Sequence, residues 1–478
     1  MATATSRAPA TDFRLGFADQ DEETALDSLP VSGALPAWLT GALVRVTPAK
    51  FDVGERRVDH WFDGLAALNR FGFADGTVSF RSRFIRSHAY REAVQGRLTP
   101  GFGTDPCRSI FKRVQSIFSP DFTDNPNVNL AQVGERYIAM TETPLPVEFD
   151  AETLETIGQL GYSDSIKAHV TTAHPHHDAR RDELVNYVVR FSRVSEYLLY
   201  GLPAGGSERR VIARLPVERP AYMHSFGMSE RHLILAEYPL RVNPLRLALS
   251  GKPFIQNYAW RPDEGTRFAV VDRESGELHG SYETDAFFCF HHVNAFERDR
   301  GRELVVDLIA YEDASIIDRL YLGREGPRGD IPPSELRRYV IDVAGGRVRW
   351  EKLADGSVEL PRIDYGRDNA REYGYAYFAG ASGAGWLDQL VKVDVRDGAR
   401  STWSAPGCYP GEPVFVREPG TAAEDGGVVL SVVLDTGAGR SFLLVLDAAG
   451  FEEVARAEAP HHIPFGFHGQ YLRGAGEA

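Results

Sequence analysis

Four histidines lie far apart in the chain: His174 in AHP, His224 in MHSFG, His291 in FHHVN and His468 in FHG. Each stands where an apolar, strand-like run meets small or aromatic residues. Neutral imidazole binds iron, zinc, copper and nickel alike, and a folded chain can carry distant imidazoles to one point. The chemistry on offer is that of a transition-metal centre. Taken singly, each of these residues reads more readily as an ordinary hydrogen-bonded histidine, and among fourteen in the chain some must be ordinary.

Their neighbours strengthen the case. Carboxylates recur in comparable settings, Glu142 in TETP, Glu412 in YPGEPVFV and Glu458 in ARAEAP. A metal-bound imidazole commonly donates its second N–H to a carboxylate, which fixes the tautomer and raises basicity. Glu458, among ARAEA, reads by itself as a surface residue. Doubled histidines occur in AHPHHD and FHHVN. Adjacent side chains of a strand point to opposite faces, so only one of His291 and His292 can face a common axis.

The elements that must position these residues are strands. Short β-branched and aromatic runs such as RYIAMTETPLPV, ELVNYVVRF, HLILAEYPL and ELVVDLIAYED recur between Gly, Asp, Asn and Pro, which indicates an all-β protein. DTGAG and DAAG read as tight turns between strands. So many strands in 478 residues must manage their edges, and radial blades fit one continuous unit of this length best. No repeat is strict enough to count blades. Helical spacing is clearest over residues 107–118, while 238–260 mixes leucine with arginine and lacks strand alternation.

Composition narrows the partners. A net charge of -14 disfavours a nucleic-acid groove. Three dispersed cysteines, Cys107, Cys289 and Cys408, form no disulfide framework or zinc ribbon, and buried thiols in a reducing cytoplasm are expected. Residues 1–12 are expected to be disordered and carry no secretory pattern, and no apolar run is long enough to cross a membrane.

The chain resembles the carotenoid cleavage oxygenases, in the branch of the animal β-carotene oxygenases and the retinoid isomerohydrolase of the retinal pigment epithelium. The likeness runs from LPAWLTGALVRVTP to FHGQYL. It is carried by HWFDGLAALNRFGF, SRFIRSHAY, DPCRSIFKRVQSIF, TETPLPVEFDAETLETIGQL, TAHPHHD, MHSFGMSE, FCFHHVNAFE, YPGEPVFV and EVARAEAPHHIPFGFHGQYL. The resemblance implies one domain over 13–478, a seven-bladed β-propeller with a dome of loops and short helices covering the metal face. It implies Fe(2+) held by His174, His224, His291 and His468. His291 is chosen over His292 because relatives with one histidine here keep the one after phenylalanine. Glu142, Glu412 and Glu458 are then expected to accept from ligand histidines, leaving His174 without a carboxylate. Thr141 falls beside an open iron position, and His176, His177, His461 and His462 are expected to be bystanders.

The implied activity is oxidative cleavage of a conjugated C=C bond of a carotenoid or apocarotenoid by dioxygen, giving aldehydes or ketones. Four ligands on an octahedral ion leave two positions open, as oxygen chemistry requires and a closed zinc site does not allow. The same family offers two alternatives, a retinoid isomerohydrolase and a stilbene-cleaving oxygenase. A propeller serving as a binding module with a structural metal is the non-enzymatic one. A substrate of this kind is drawn from lipid, so 107–118 and 238–260 are expected to make a peripheral membrane contact, although the pattern at 107–118 equally fits a helix packed on the core.

Overall fold

The computed structural model describes residues 12–104, 123–323 and 326–473. The amphipathic segment 107–118, Cys107 and residues 1–11 lie outside them. Asp12 lies inside: its carboxylate accepts the backbone N–H of Arg14 and caps the 3-10 turn Phe13–Phe17.

Seven antiparallel sheets of four to six strands form the blades of a propeller. Blade 1 contains Gly41–Lys50, Leu65–Ala74 and Thr77–Phe84, and blade 2 runs from Asn129–Val133 to Thr156–Gln159. Blade 3 is built on Glu183–Arg190, Ser195–Pro203 and Arg210–Val217, and blade 4 on His232–Glu237, Thr266–Asp272 and Leu278–Thr284. Blade 5 holds His292–Arg298, Glu303–Tyr311, Ser334–Asp342 and Arg347–Ala354. Blade 6 holds Ser357–Arg362, Tyr375–Ala381, Gln389–Asp394 and Arg400–Trp403. Blade 7 centres on Gly427–Asp435, Arg440–Asp447 and Glu453–Glu458. The first-ranked strands of successive blades touch one another about the axis, as Gly227–Met228 touches His292–Arg298 and the latter touches Ser357–Arg362.

Both ends of the described chain close the ring. The last strand, Gly469–Leu472, pairs with Gly41–Lys50 in blade 1, with Arg45 opposite Gly469. Near the other end Val31–Gly33 adds the outer strand of blade 7, against Ala455 to Ala457. Gly33 has a φ of +83°, and a Cβ there would run into the Val454 carbonyl, so this crossing requires glycine. Closing the ring leaves only short outer edges to shield.

The turn readings hold. Asp435 pairs with Arg440 across DTGAG, and its carboxylate accepts the Ala438 N–H at 3.0 Å. In DAAG the Asp447 carboxylate accepts the Gly450 N–H, and Phe451 N–H bonds to the Asp447 carbonyl. Thr77–Phe84 alternates as a half-buried strand should, whereas His232–Glu237 is buried on both faces between blades. The buried Leu, Val, Ile and Phe side chains that fill the space between blades each stabilise the fold by roughly 1.5–3 kcal/mol. Cys289 and Cys408 are buried and free.

Loops and short helices form the dome. They are knit by long-range backbone bonds: Trp61 N–H to Leu320, Leu322 N–H to Asp59 and Ile255 N–H to Phe102. Within 238–260, strands Leu240–Val242 and Tyr258–Trp260 pair and are too short for alternation to show. Between them Pro244–Ser250 is helical, with Asn243 as its N-cap, Pro244 in the first turn and Gly251 left-handed at its end.

Candidate metal centre

All four sequence-identified histidines meet, with one ring nitrogen of each within 4.8 Å of the others. Each stands at or just before the strand of its blade nearest the axis. His174 precedes His176–Asp178, His224 precedes Gly227–Met228, His291 directly precedes His292–Arg298, and His468 directly precedes Gly469–Leu472. The Nε2 atoms of His174 and His224 are 3.0 Å apart, and those of His291 and His468 are 3.2 Å apart.

The Nδ1 atoms turn outward. His224 Nδ1 donates to Glu142 Oε1 at 2.7 Å and His468 Nδ1 to Glu412 Oε1 at 2.7 Å. His291 Nδ1 donates to Glu359 Oε2 at 2.5 Å. The expectation for Glu458 is therefore corrected. That carboxylate ends the strand Glu453–Glu458, away from the axis, and pairs with Arg440 at 2.6 Å. Glu359 takes its place from the axial strand of blade 6. Among the described residues no carboxylate is paired with His174.

Every blade contributes one group. Blades 1, 3, 4 and 5 supply His468, His174, His224 and His291, and blades 2, 6 and 7 supply Glu142, Glu359 and Glu412. Hydroxyls stitch the ligand loops together: Thr172 Oγ1 accepts the His174 N–H at 2.9 Å and donates to the His224 carbonyl, and Ser225 Oγ donates to the Phe290 carbonyl at 2.6 Å. The carboxylates are themselves held. Tyr222 donates to Glu142 at 2.9 Å, Tyr311 to Glu359 at 2.9 Å, and Arg45 to Glu412 at 2.6 Å. Sequence reasoning missed Glu359 and all of these supports. The signal for Glu359, a lone carboxylate between Val358 and Leu360, is present but no stronger than that of Glu458.

Electrostatics keep His174 and His468 neutral. Burial and then the neighbouring imidazoles lower His174 well below its ordinary value. Burial also lowers His468 to about 4, although Glu412 opposes it. Burial alone would raise Glu412, yet Arg362, His468 and Arg45 together hold it at about 2. In Glu359 the same burial effect is outweighed by His291, the Leu360 N–H and Tyr311. With the proton of three rings fixed on Nδ1, their Nε2 lone pairs face one another, an arrangement that is repulsive without a cation between them. The donor set fits a divalent transition metal.

The bystanders are engaged elsewhere. His292 Nδ1 bonds to Ser225 Oγ at 2.8 Å, and His176 Nε2 bonds to the Phe226 carbonyl at 2.9 Å. His177 is exposed beside Asp182, and His461 bonds to the His462 carbonyl. Thr141 is buried immediately before Glu142. Aromatic rings wall the cluster on the dome side. Phe290 lies 5.2 Å and Phe62 6.2 Å from the His224 ring, and Phe467 lies 5.1 Å from Phe62.

The chain matches the family model described as retinal pigment epithelial membrane protein over residues 17–473. It is 36% identical to the carotenoid-cleaving dioxygenase, mitochondrial, of Macaca fascicularis, covering 93% of this chain and 92% of the relative. It is 32% identical to the beta,beta-carotene 15,15'-dioxygenase of Homo sapiens, covering 92% and 91%. The structure of a single-residue variant of Synechocystis apocarotenoid oxygenase superposes with a TM-score of 0.85 at 27% identity, covering 98% of this chain and 100% of that one.

Proposed function

This chain belongs to the carotenoid cleavage oxygenase family, and on that footing we propose that it is a non-haem iron(II) dioxygenase that cleaves a conjugated C=C bond of a carotenoid or apocarotenoid. The observation that carries the reading is the convergence of four imidazoles, three of them fixed by carboxylates, against an aromatic wall. One alkene and one dioxygen give two carbonyls, with one oxygen atom placed on each.

His174, His224, His291 and His468 would hold the iron, which when bound supplies the one-electron chemistry that lets dioxygen react with a closed-shell alkene. Four neutral ligands would leave its charge to be balanced by Glu142, Glu359 and Glu412, and the absence of further protein ligands among the described residues would leave it room to take up dioxygen. Thr141 is assigned a place beside an open position. The histidines and glutamates move no proton in this scheme: they fix tautomers and orient rings. Phe62, Phe290 and Phe467 provide flat apolar surface for a polyene, and the register of the polyene on that surface selects the bond that is cut.

Substrate entry is assigned to the arm at 238–260. A run of rings, Phe62 to Phe102 at 5.0 Å, Phe102 to Phe254 at 6.3 Å and Phe254 to Tyr258 at 5.3 Å, leads from the centre to that arm. Its helix Pro244–Ser250 buries none of its residues and leaves Leu245 and Leu249 72% and 74% exposed, one turn apart. That face suits a peripheral contact with lipid. No described helix is long and apolar enough to cross a membrane.

The test is to incubate iron-loaded protein with carotenoids, apocarotenoids, retinyl esters and stilbenes under isotopically labelled dioxygen and weigh the products. Label in both carbonyl products of a carotenoid or apocarotenoid is expected. A cis-retinol carrying oxygen from water would replace this reading with the isomerohydrolase one.

A further inference from the structure

Glu412 differs from the other two carboxylates in what stands behind it. Glu142 and Glu359 accept from neutral phenols, Tyr222 and Tyr311. Glu412, fully buried, meets the guanidinium of Arg45, which is only 3% exposed, and Arg362 lies 3.8 Å from its other oxygen. Arg45 does more than balance charge. Its second nitrogen donates to the Phe467 carbonyl at 3.0 Å, and it stands in register opposite Gly469, whose N–H donates to Glu412 at 3.0 Å. One planar fork thus grips the residue before His468 and the carboxylate behind it, a geometry a point charge does not reproduce.

The position of this grip in the chain gives it a second consequence. Three ligands precede strands inside the ring, but His468 immediately precedes the strand that closes it, and Arg45 belongs to the strand that receives that closing strand. Given the metal centre proposed above, on which this step rests, we infer that Arg45 is a positioning residue for that centre. Acting through Glu412 and the Phe467 backbone, it holds His468 just before the closing strand, so that metal affinity and ring closure depend on each other.

The test uses the full chain loaded with Co(II) or Fe(II). Arg45→Met is expected to lose about 10–100-fold in metal affinity in a chelator competition. It should also shift the Co(II) absorption bands and speed amide exchange over residues 466–472. Arg45→Lys keeps the charge without the fork and should show a smaller but measurable loss. In a Glu412→Gln background, Arg45→Met should cost little further, because the pair acts as one unit. Unchanged affinity and spectrum in Arg45→Met overturns the inference, as does an equal loss in both backgrounds. Should Arg45→Met not fold, unchanged affinity in a stable Arg45→Lys overturns it. Wild-type protein that takes up no metal would instead overturn the metal centre itself.

Discussion

Glu359 accepts the Nδ1–H of His291 at 2.5 Å, and the opposite nitrogen of that ring points at Nε2 of His468, 3.2 Å away. One hydrogen bond therefore decides which lone pair His291 presents to the axis. Glu359→Gln should cost about 10–100-fold in iron affinity, the range for loss of a carboxylate that orients a ligand. Glu458→Gln, which only removes a pairing with Arg440, should leave affinity unchanged. Chelator competition on the two variants separates them.

The doublet makes a second prediction. His291→Ala should abolish stoichiometric iron binding, whereas His292→Ala, which loses the bond to Ser225 Oγ, should retain it. Metal analysis of the purified variants reads the result directly. A full complement of iron in His291→Ala would reverse the assignment.

Metal removal should destabilise the fold. A metal held by the four histidines would draw on four blades, so it should favour the native state by an amount that grows with free metal, about 2.7 kcal/mol at 100 times Kd. Thermal unfolding at several Fe(II) concentrations, without oxygen, should show a concentration-dependent rise in Tm that a chelator reverses. The four ligand variants should show no such rise.

The exposed leucines of the arm are expected to hold lipid. A Leu245→Asp, Leu249→Asp double variant should lose sedimentation with liposomes and raise KM for a liposome-borne carotenoid, with kcat for a detergent-solubilised short substrate preserved. Unaltered liposome binding would remove the arm from the entry route.

Acid stability should carry the signature of His60. This ring is fully buried. Its Nδ1 accepts the Phe62 N–H and its Nε2 donates to the Ile317 carbonyl at 3.1 Å. Burial lowers it to about 3 from 6.5, although the Ile317 bond opposes the shift. In the folded state it stays neutral where the unfolded chain is already protonated. Its contribution is therefore fully present above pH 6.5 and is lost as pH falls from 6.5 toward 3. In urea unfolding of the metal-free protein, His60→Gln should be less stable than wild type at neutral pH, and that gap should narrow across this window.

Much of the centre is legible in the chain. The four histidines can be read because each sits in a distinctive local cluster beside a strand, and Glu142 and Glu412 can be read because TETP and YPGEP are just as distinctive. The all-β class follows from short apolar runs punctuated by turn residues, and DTGAG and DAAG are the turns they resemble.

Other features are decided only by the fold. Glu359, between Val358 and Leu360, and Glu458, between Ala457 and Ala459, are alike in sequence: a carboxylate on a strand with apolar neighbours. Two-residue alternation specifies which face a side chain takes, not where in the sheet its strand lies. Only the packed ring puts Ser357–Arg362 at the axis and Glu453–Glu458 further out, beneath Val31–Gly33. Arg45 is subject to the same limit, since nothing around residue 45 announces a partner that arrives with the last strand. Residue types and local pattern determined that a metal could be bound; closure of the ring, a long-range event, decided which carboxylates and which guanidinium stand behind it.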